Sequence, residues 1–150
     1  MTPSAAVTAL REKLGVEPAL EGRVVSVDVP VERWVECARL ARTELGCLYF
    51  NWLSAVDWKE QGLEVLCRLD DLDGGWALAM RTKLGPDRVH CPTLTGLYRG
   101  ADWMERECWD LLGVVFDGHP DLRRILLGQD WVGHPLRKDY AVDTAYEPYR

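Results

Sequence analysis

Between Leu63 and Asp70 apolar and polar side chains alternate almost without a break, with Leu63, Val65, Cys67 and Leu69 set against Glu64, Arg68 and Asp70. A period of two sends successive side chains to opposite faces, so this run reads as a strand with one buried face and one wet face. Asp73-Gly74-Gly75 follows and supplies the positive-φ positions of a hairpin turn. Trp76 to Thr82 then reads as the returning strand, and Leu48 to Val56 as a third. Earlier, Val25, Val27 and Val29 alternate with Val24, Ser26 and Asp28, a strand closed by Pro30. A sheet with one apolar face needs a cover. Val31 to Leu45 supplies one: Val31, Trp34, Ala38, Ala41 and Leu45 step by three and four, while Glu32, Glu36, Arg39 and Arg42 lie largely elsewhere, and Gly46 ends the helix. Ala5 to Leu14 is a shorter helix stopped by Gly15. The expected order is α-β-α-β-β-β, followed by a segment of different character.

The 150 residues are 47% hydrophobic and 28% charged, which suits a single soluble domain with one core. A net charge of -6 argues against nucleic acid as a partner, because phosphate contacts need clustered Lys and Arg. Uninterrupted apolar stretches reach only about six residues, against roughly 20 for a bilayer span. Met1 to Leu14 lacks the continuous apolar region of a secretory signal, so a cytoplasmic location is expected. Cys37, Cys47, Cys67, Cys91 and Cys108 contain no C-x-x-C pair. Cluster and structural zinc sites usually draw on such pairs, so reduced and mostly core cysteines are expected.

From Pro92 onward the chain becomes rich in Trp, Gly, His, Pro and Arg. Asp102 with Glu105 three positions later has the form of a capping box, predicting a helix over Trp103 to Leu112. The helical wheel puts Met104, Cys108, Leu111 and Leu112 on one face, with Glu107 between Trp103 and Leu111. A carboxylate so placed needs a cationic or hydrogen-bonding partner, so Glu107 is expected to matter more to folding than Glu105. Arg106 and Asp110, four apart, are expected to pair along an exposed flank. Further on, Phe116 to Pro120 and Trp131 to Pro135 share an aromatic-x-Gly-His-Pro core, each followed by two basic residues: Arg123 and Arg124, then Arg137 and Lys138. Aromatics and arginines displayed from turns suit an interface. The sheet core does not require those four cations, which are expected to face a partner.

Glu105-Arg106-Glu107-Cys108-Trp109-Asp110, the downstream Gly118-His119-Pro120-Asp121-Leu122-Arg123-Arg124-Ile125-Leu126 and Pro135-Leu136-Arg137-Lys138-Asp139 resemble the signature of the complex I 30-kDa subunit family, the C subunits of bacterial NADH-quinone oxidoreductases. The pattern departs at Trp109, where tyrosine is common, and at Ala141, where proline is usual. The resemblance implies an α+β class: a two-layer domain with a mixed β-sheet packed by helices, followed by an irregular C-terminal docking segment. On this reading residues 1–91 form the sheet core, 92–140 the signature helix and docking loops, and 141–150 a tail.

The resemblance further implies a cofactor-free structural subunit of the peripheral arm, at the cytoplasmic face of the inner membrane. It would touch the membrane only through the complex, and dock the D-subunit homologue and neighbouring iron-sulfur subunits. NADH, FMN, iron-sulfur clusters and quinone would be used by other subunits. Glu105, Arg106, Glu107, Asp110, His119, Arg123, Arg124, His134, Arg137, Lys138 and Asp139 would serve as signature or interface residues and none as catalytic ones. The same resemblance extends to the equivalent subunit of an energy-converting hydrogenase, a reduced coenzyme F420 dehydrogenase or a ferredoxin-dependent complex. A different class is a Cys/His hydrolase in which His119 or His134 activates Cys108 or Cys91, but the chain offers no nucleophile turn. A metal held by the two histidines with Cys108 lacks a second ligand pair.

Overall fold

The structure is a computed structural model that describes residues 1–145. Five strands form a mixed sheet in the order β1-β2-β5-β4-β3. These are β1 (Ala19–Glu21), β2 (Val24–Asp28), β3 (Tyr49–Asp57), β4 (Leu63–Asp71) and β5 (Trp76–Gly85). β2 runs parallel to β5, and the other pairings are antiparallel. The register puts Val27, Met80, Cys67 and Leu53 in one row across the sheet, and Val25, Leu78 and Leu69 in the next. All are buried. The opposite face carries Ser26, Ala79, Arg68 and Trp52 in register, and its charges pair off as Arg68 with Asp70 and Arg81 with Asp28.

Helices cover the apolar face. α1 (Pro3–Leu14) is capped by Thr2 and turned off by Gly15 at φ +60°, and buries Ala6, Leu10 and Leu14. α2 (Trp34–Thr43) buries Trp34, Cys37, Ala38, Leu40 and Ala41. It starts later than the periodicity implied, because one tighter 3-10 turn, Val31–Arg33, follows Pro30. α3 (Ala101–Leu112) packs along β3, where the Leu53 amide meets Met104 Sδ at 3.1 Å.

The expected two-layer α+β arrangement is present, and the hairpin turn lies where Asp73-Gly74-Gly75 put it, with Gly75 at φ +64°. Asp71 Oδ1 accepts the Gly74 amide at 2.9 Å, and a Cβ on Gly74 would lie 2.3 Å from Asp71 Oδ2, so only glycine fits. Three short strands escaped the sequence. β1 is exposed at all three positions and gives no alternation. β6 (His90–Pro92) and β7 (Val115–Asp117) form a separate parallel pair too short to show a period. That pair joins residues on both sides of position 91. The core is continuous, taking in Leu94, Tyr98, Cys108 and Phe116 along with the sheet.

Candidate functional site

α3 begins at Ala101 with Gly100 as its N-cap and no side-chain cap bond, so Asp102 and Glu105 form no capping box. The helix instead turns Glu105, Cys108 and Leu112 inward, and Glu105 is 0% exposed. Its carboxylate accepts the Leu94 amide at 2.7 Å and the Thr93 hydroxyl, fastening the loop after β6 to the helix. Burial pushes this carboxyl up to about 7, against the two hydrogen bonds that favour its charged form. Glu107 lies on the exposed side next to Trp103, which is 62% exposed. The apolar face of Met104, Cys108 and Leu112 is where the wheel put it, but the carboxylate enclosed beside it is Glu105 and not Glu107, and Trp103 stands outside.

Arg106 and Asp110 do not pair with each other. Arg106 donates from Nε to the Arg123 carbonyl at 3.1 Å and from Nη2 to the Arg124 carbonyl at 2.9 Å, with its guanidinium over the Trp103 ring. Asp110 is fully buried. Its Oδ1 accepts from Arg124 Nη1 at 2.8 Å, and its Oδ2 accepts the amides of Ile125, Leu126 and Leu127 at 3.2, 2.9 and 3.0 Å. Burial works against ionisation here, but the Arg124 bond and the three amides outweigh it and hold the carboxyl below its ordinary value. Arg124 spans the remaining distance, donating from Nη2 to the carbonyls of Trp131 at 2.7 Å and Gly133 at 3.0 Å. Its guanidinium also lies over the Trp109 ring.

The histidines belong to the same system. The His119 side chain is 0% exposed. Its Nδ1 accepts the Asp121 amide at 3.0 Å, so the neutral ring carries its proton on Nε2, 3.2 Å from the Asp102 carbonyl oxygen and 4.0 Å from Glu105 Oε2. His134 Nδ1 lies 3.0 Å from the Asp110 carbonyl oxygen, and its ring meets Trp109 edge-on. Gly118 and Gly133, which open the two turns, take φ of +84° and +87°. Arg137 Nε donates to the Leu112 carbonyl at the end of α3, and the Lys138 amide donates to Asp57 Oδ2 at 2.8 Å. Gly113 leaves room for this arrangement, since a Cβ there would lie 2.8 Å from His134 Cδ2.

The signature residues thus come together, but as a frame. Glu105, Arg106, Asp110, Arg124, His119, His134 and Arg137 bind backbone groups of residues 93–136 that have few ladder partners of their own. Arg124 and Arg137 are engaged within the domain, contrary to the expectation that they face outward. Arg123, Lys138, Asp139 and Glu107 are exposed, and Arg123 pairs with its neighbour Asp121. On its outer side the framed segment presents Leu126, Val132 and Leu136, at 60%, 85% and 55% exposure. These three were not singled out in the sequence, where nothing separates an outward leucine from a core one.

All five cysteines are free and buried. Burial pushes the Cys91 and Cys108 thiols well above their ordinary values, and both histidines are turned to backbone groups, the reverse of an activated thiol. Among the described residues no helix is long and apolar enough to cross a membrane.

Residues 27–146 match the family described as respiratory-chain NADH dehydrogenase, 30 Kd subunit. The chain is 46% identical over 86 residues to the C/D subunit of NADH-quinone oxidoreductase from Shigella flexneri and from Escherichia coli; the match covers 57% of this chain and 14% of those proteins. Its fold is similar to the trypsin-resistant fragment (1–134) of Nqo5, with a TM-score of 0.68 and 27% identity over 81% of this chain and 100% of that one. It is also similar to a chain in the membrane-bound sulfane sulfur reductase, an archaeal respiratory membrane complex, with a TM-score of 0.77 and 21% identity over 93% and 85% of the two chains. With the family match running over most of its length and the signature charges framing one segment, the chain belongs to the 30 Kd subunit family of the respiratory-chain NADH dehydrogenase.

Proposed function

We propose that this chain is a structural subunit of the peripheral arm of an NADH-quinone oxidoreductase, carrying no cofactor itself and docking the D-subunit homologue. NADH, FMN, iron-sulfur clusters and quinone are handled by other subunits, and the chain sits at the cytoplasmic face of the membrane as a peripheral member of the complex. The observation that carries this reading is the framed segment. Its backbone is held by buried charges, while Leu126, Val132 and Leu136 point outward. A rigid support with apolar side chains on its outer side is what a permanent interface uses, because the ordering cost is met before the partner arrives. The occupant follows from the relatives, whose C and D parts bear one joint name. The 46% identity to those proteins favours this assembly over a hydrogenase, a coenzyme F420 dehydrogenase or a ferredoxin-dependent complex.

The test is Leu126→Asp combined with Val132→Asp in the native complex. Both side chains are exposed, so the isolated variant should melt near wild type. Co-purification with the D-subunit homologue should fall roughly tenfold, as for the loss of a central apolar anchor, and quinone reductase activity should fall in proportion. Normal incorporation of the double variant would overturn the assignment of this surface.

A further inference from the structure

Residues 93–100 cross the surface beside α2, and two depressions meet along this loop. One, of about 570 Å³, is walled by Arg42, Leu48, Phe50, Tyr98 and Arg99. The other, of about 420 Å³, is walled by Val35, Arg39, Gly118 and Pro120. They share Thr95, Gly96 and Leu97 and so form a single groove.

The floor of the larger end is rigid. Tyr98 is 3% exposed, its hydroxyl donates to the Cys47 carbonyl at 2.8 Å, and its ring lies 5.6 Å from that of Phe50. The Arg42 guanidinium carbon lies over the Tyr98 ring, 5.2 Å from its centre. A guanidinium held over the face of a fixed ring still has N–H groups to offer a carboxylate, and has lost part of its rotamer freedom already.

Arg39, Arg42 and Arg99 are all exposed, and none of them forms an ion pair among the described residues. Other carboxylates close to them in the chain are engaged elsewhere: Glu36 with Arg33, Glu44 with Lys13 and Asp121 with Arg123. In a chain of net charge -6, three unpaired arginines around one groove reverse the local sign of the surface. Leu48, 63% exposed, adds an apolar contact at the same end.

We propose that the groove between α2 and residues 93–100 binds an acidic segment of a partner polypeptide. One carboxylate is held bidentately by Arg42, a neighbouring one meets Arg39 or Arg99, and an apolar side chain rests on Leu48 and Phe50. The groove uses none of Leu126, Val132 and Leu136, so it stands or falls independently of the docking surface described above.

The full chain is titrated with a short fluorescent peptide of glutamate and leucine, with a lysine-leucine peptide, with inorganic phosphate and with phosphatidylglycerol vesicles. The acidic peptide should bind, lose affinity as salt is raised, and move the amide resonances of residues 95–100. The lysine-leucine peptide should not bind. Arg42→Ala with Arg99→Ala should weaken binding roughly tenfold or more, as expected for loss of charge-assisted hydrogen bonds, and Arg42→Lys should weaken it too. Gly96→Leu should block the groove while leaving the circular dichroism unchanged, since a Cβ at Gly96 meets no heavy atom within 4 Å. Unchanged affinity in the double variant, or resonance shifts mapping elsewhere, would overturn the proposal. Phosphate binding as tightly as the peptide would mean a small-anion site instead, and binding to vesicles alone a membrane-facing surface, and either result overturns it.

Discussion

Glu105 and Glu107 are two residues apart on α3 and have opposite surroundings. Glu105 is enclosed and hydrogen-bonded to residues 93 and 94, while Glu107 faces solvent. The Glu105 carboxyl titrates near 4.5 when unfolded and at about 7 in the folded chain, raised chiefly by burial. The folded state therefore holds the proton more tightly. Its contribution to stability is fully present below about pH 4.5 and is lost as pH rises to about 7. The wild type should lose on the order of 2–3 kcal/mol relative to Glu105→Gln over that window, because the amide does not titrate. Glu107→Gln should keep the wild-type slope. Urea unfolding at several pH values between 4.5 and 7 measures this, and an undiminished slope in Glu105→Gln would rule out Glu105 as its source.

α3 acts as the spine from which the irregular segment hangs. Residues 119–140 contain no helix or strand, so their backbone groups depend on side chains for partners. Arg124 reaches two of their carbonyls and Asp110 three of their amides, in a pair whose side chains are 8% and 0% exposed. Arg124→Ala leaves the Asp110 carboxylate buried without its cation and frees the carbonyls of residues 131 and 133. A loss of about 3–5 kcal/mol is expected, lowering the melting temperature by roughly 10 °C. Arg123→Ala removes only a surface pair and should cost less than about 0.5 kcal/mol. Differential scanning calorimetry of the two variants decides between clamp and surface roles. Similar melting points would show that residues 119–140 hold their path without Arg124.

At the scale of the whole molecule, one core extends from the sheet through the loop at Leu94 to α3, and it encloses every cysteine. Burial pushes Cys37 and Cys47 up to about 12 and raises the other three thiols well above their ordinary values. A thiol reagent at mildly alkaline pH should therefore label essentially none of the five cysteines in the native chain and all five in denaturant. The labelling rate then reports opening of the core as a whole. Rapid labelling of Cys47 under native conditions would show that the sheet and α2 separate more easily than this packing implies.

The elements legible in the sequence were those whose own period carries the information. β4 and β5 alternate because one face of the sheet is dry, and α2 steps by three and four because one side of it covers that face. The signature from Glu105 to Asp139 was also legible as a string, since residue order is all that a motif needs. What tertiary structure decided was the direction of each charge. A wheel ranks helix faces by apolar content, and it misplaced Glu105, Arg106 and Asp110 because their burial is set by backbone groups of residues 93–94 and 123–127. Those partners lie 11 to 18 positions away, brought close only by the path of the chain. The inward turn of Arg124 beside an outward Arg123 has the same cause: neighbours in sequence differ in burial once distant unpaired carbonyls and a buried carboxylate compete for one guanidinium.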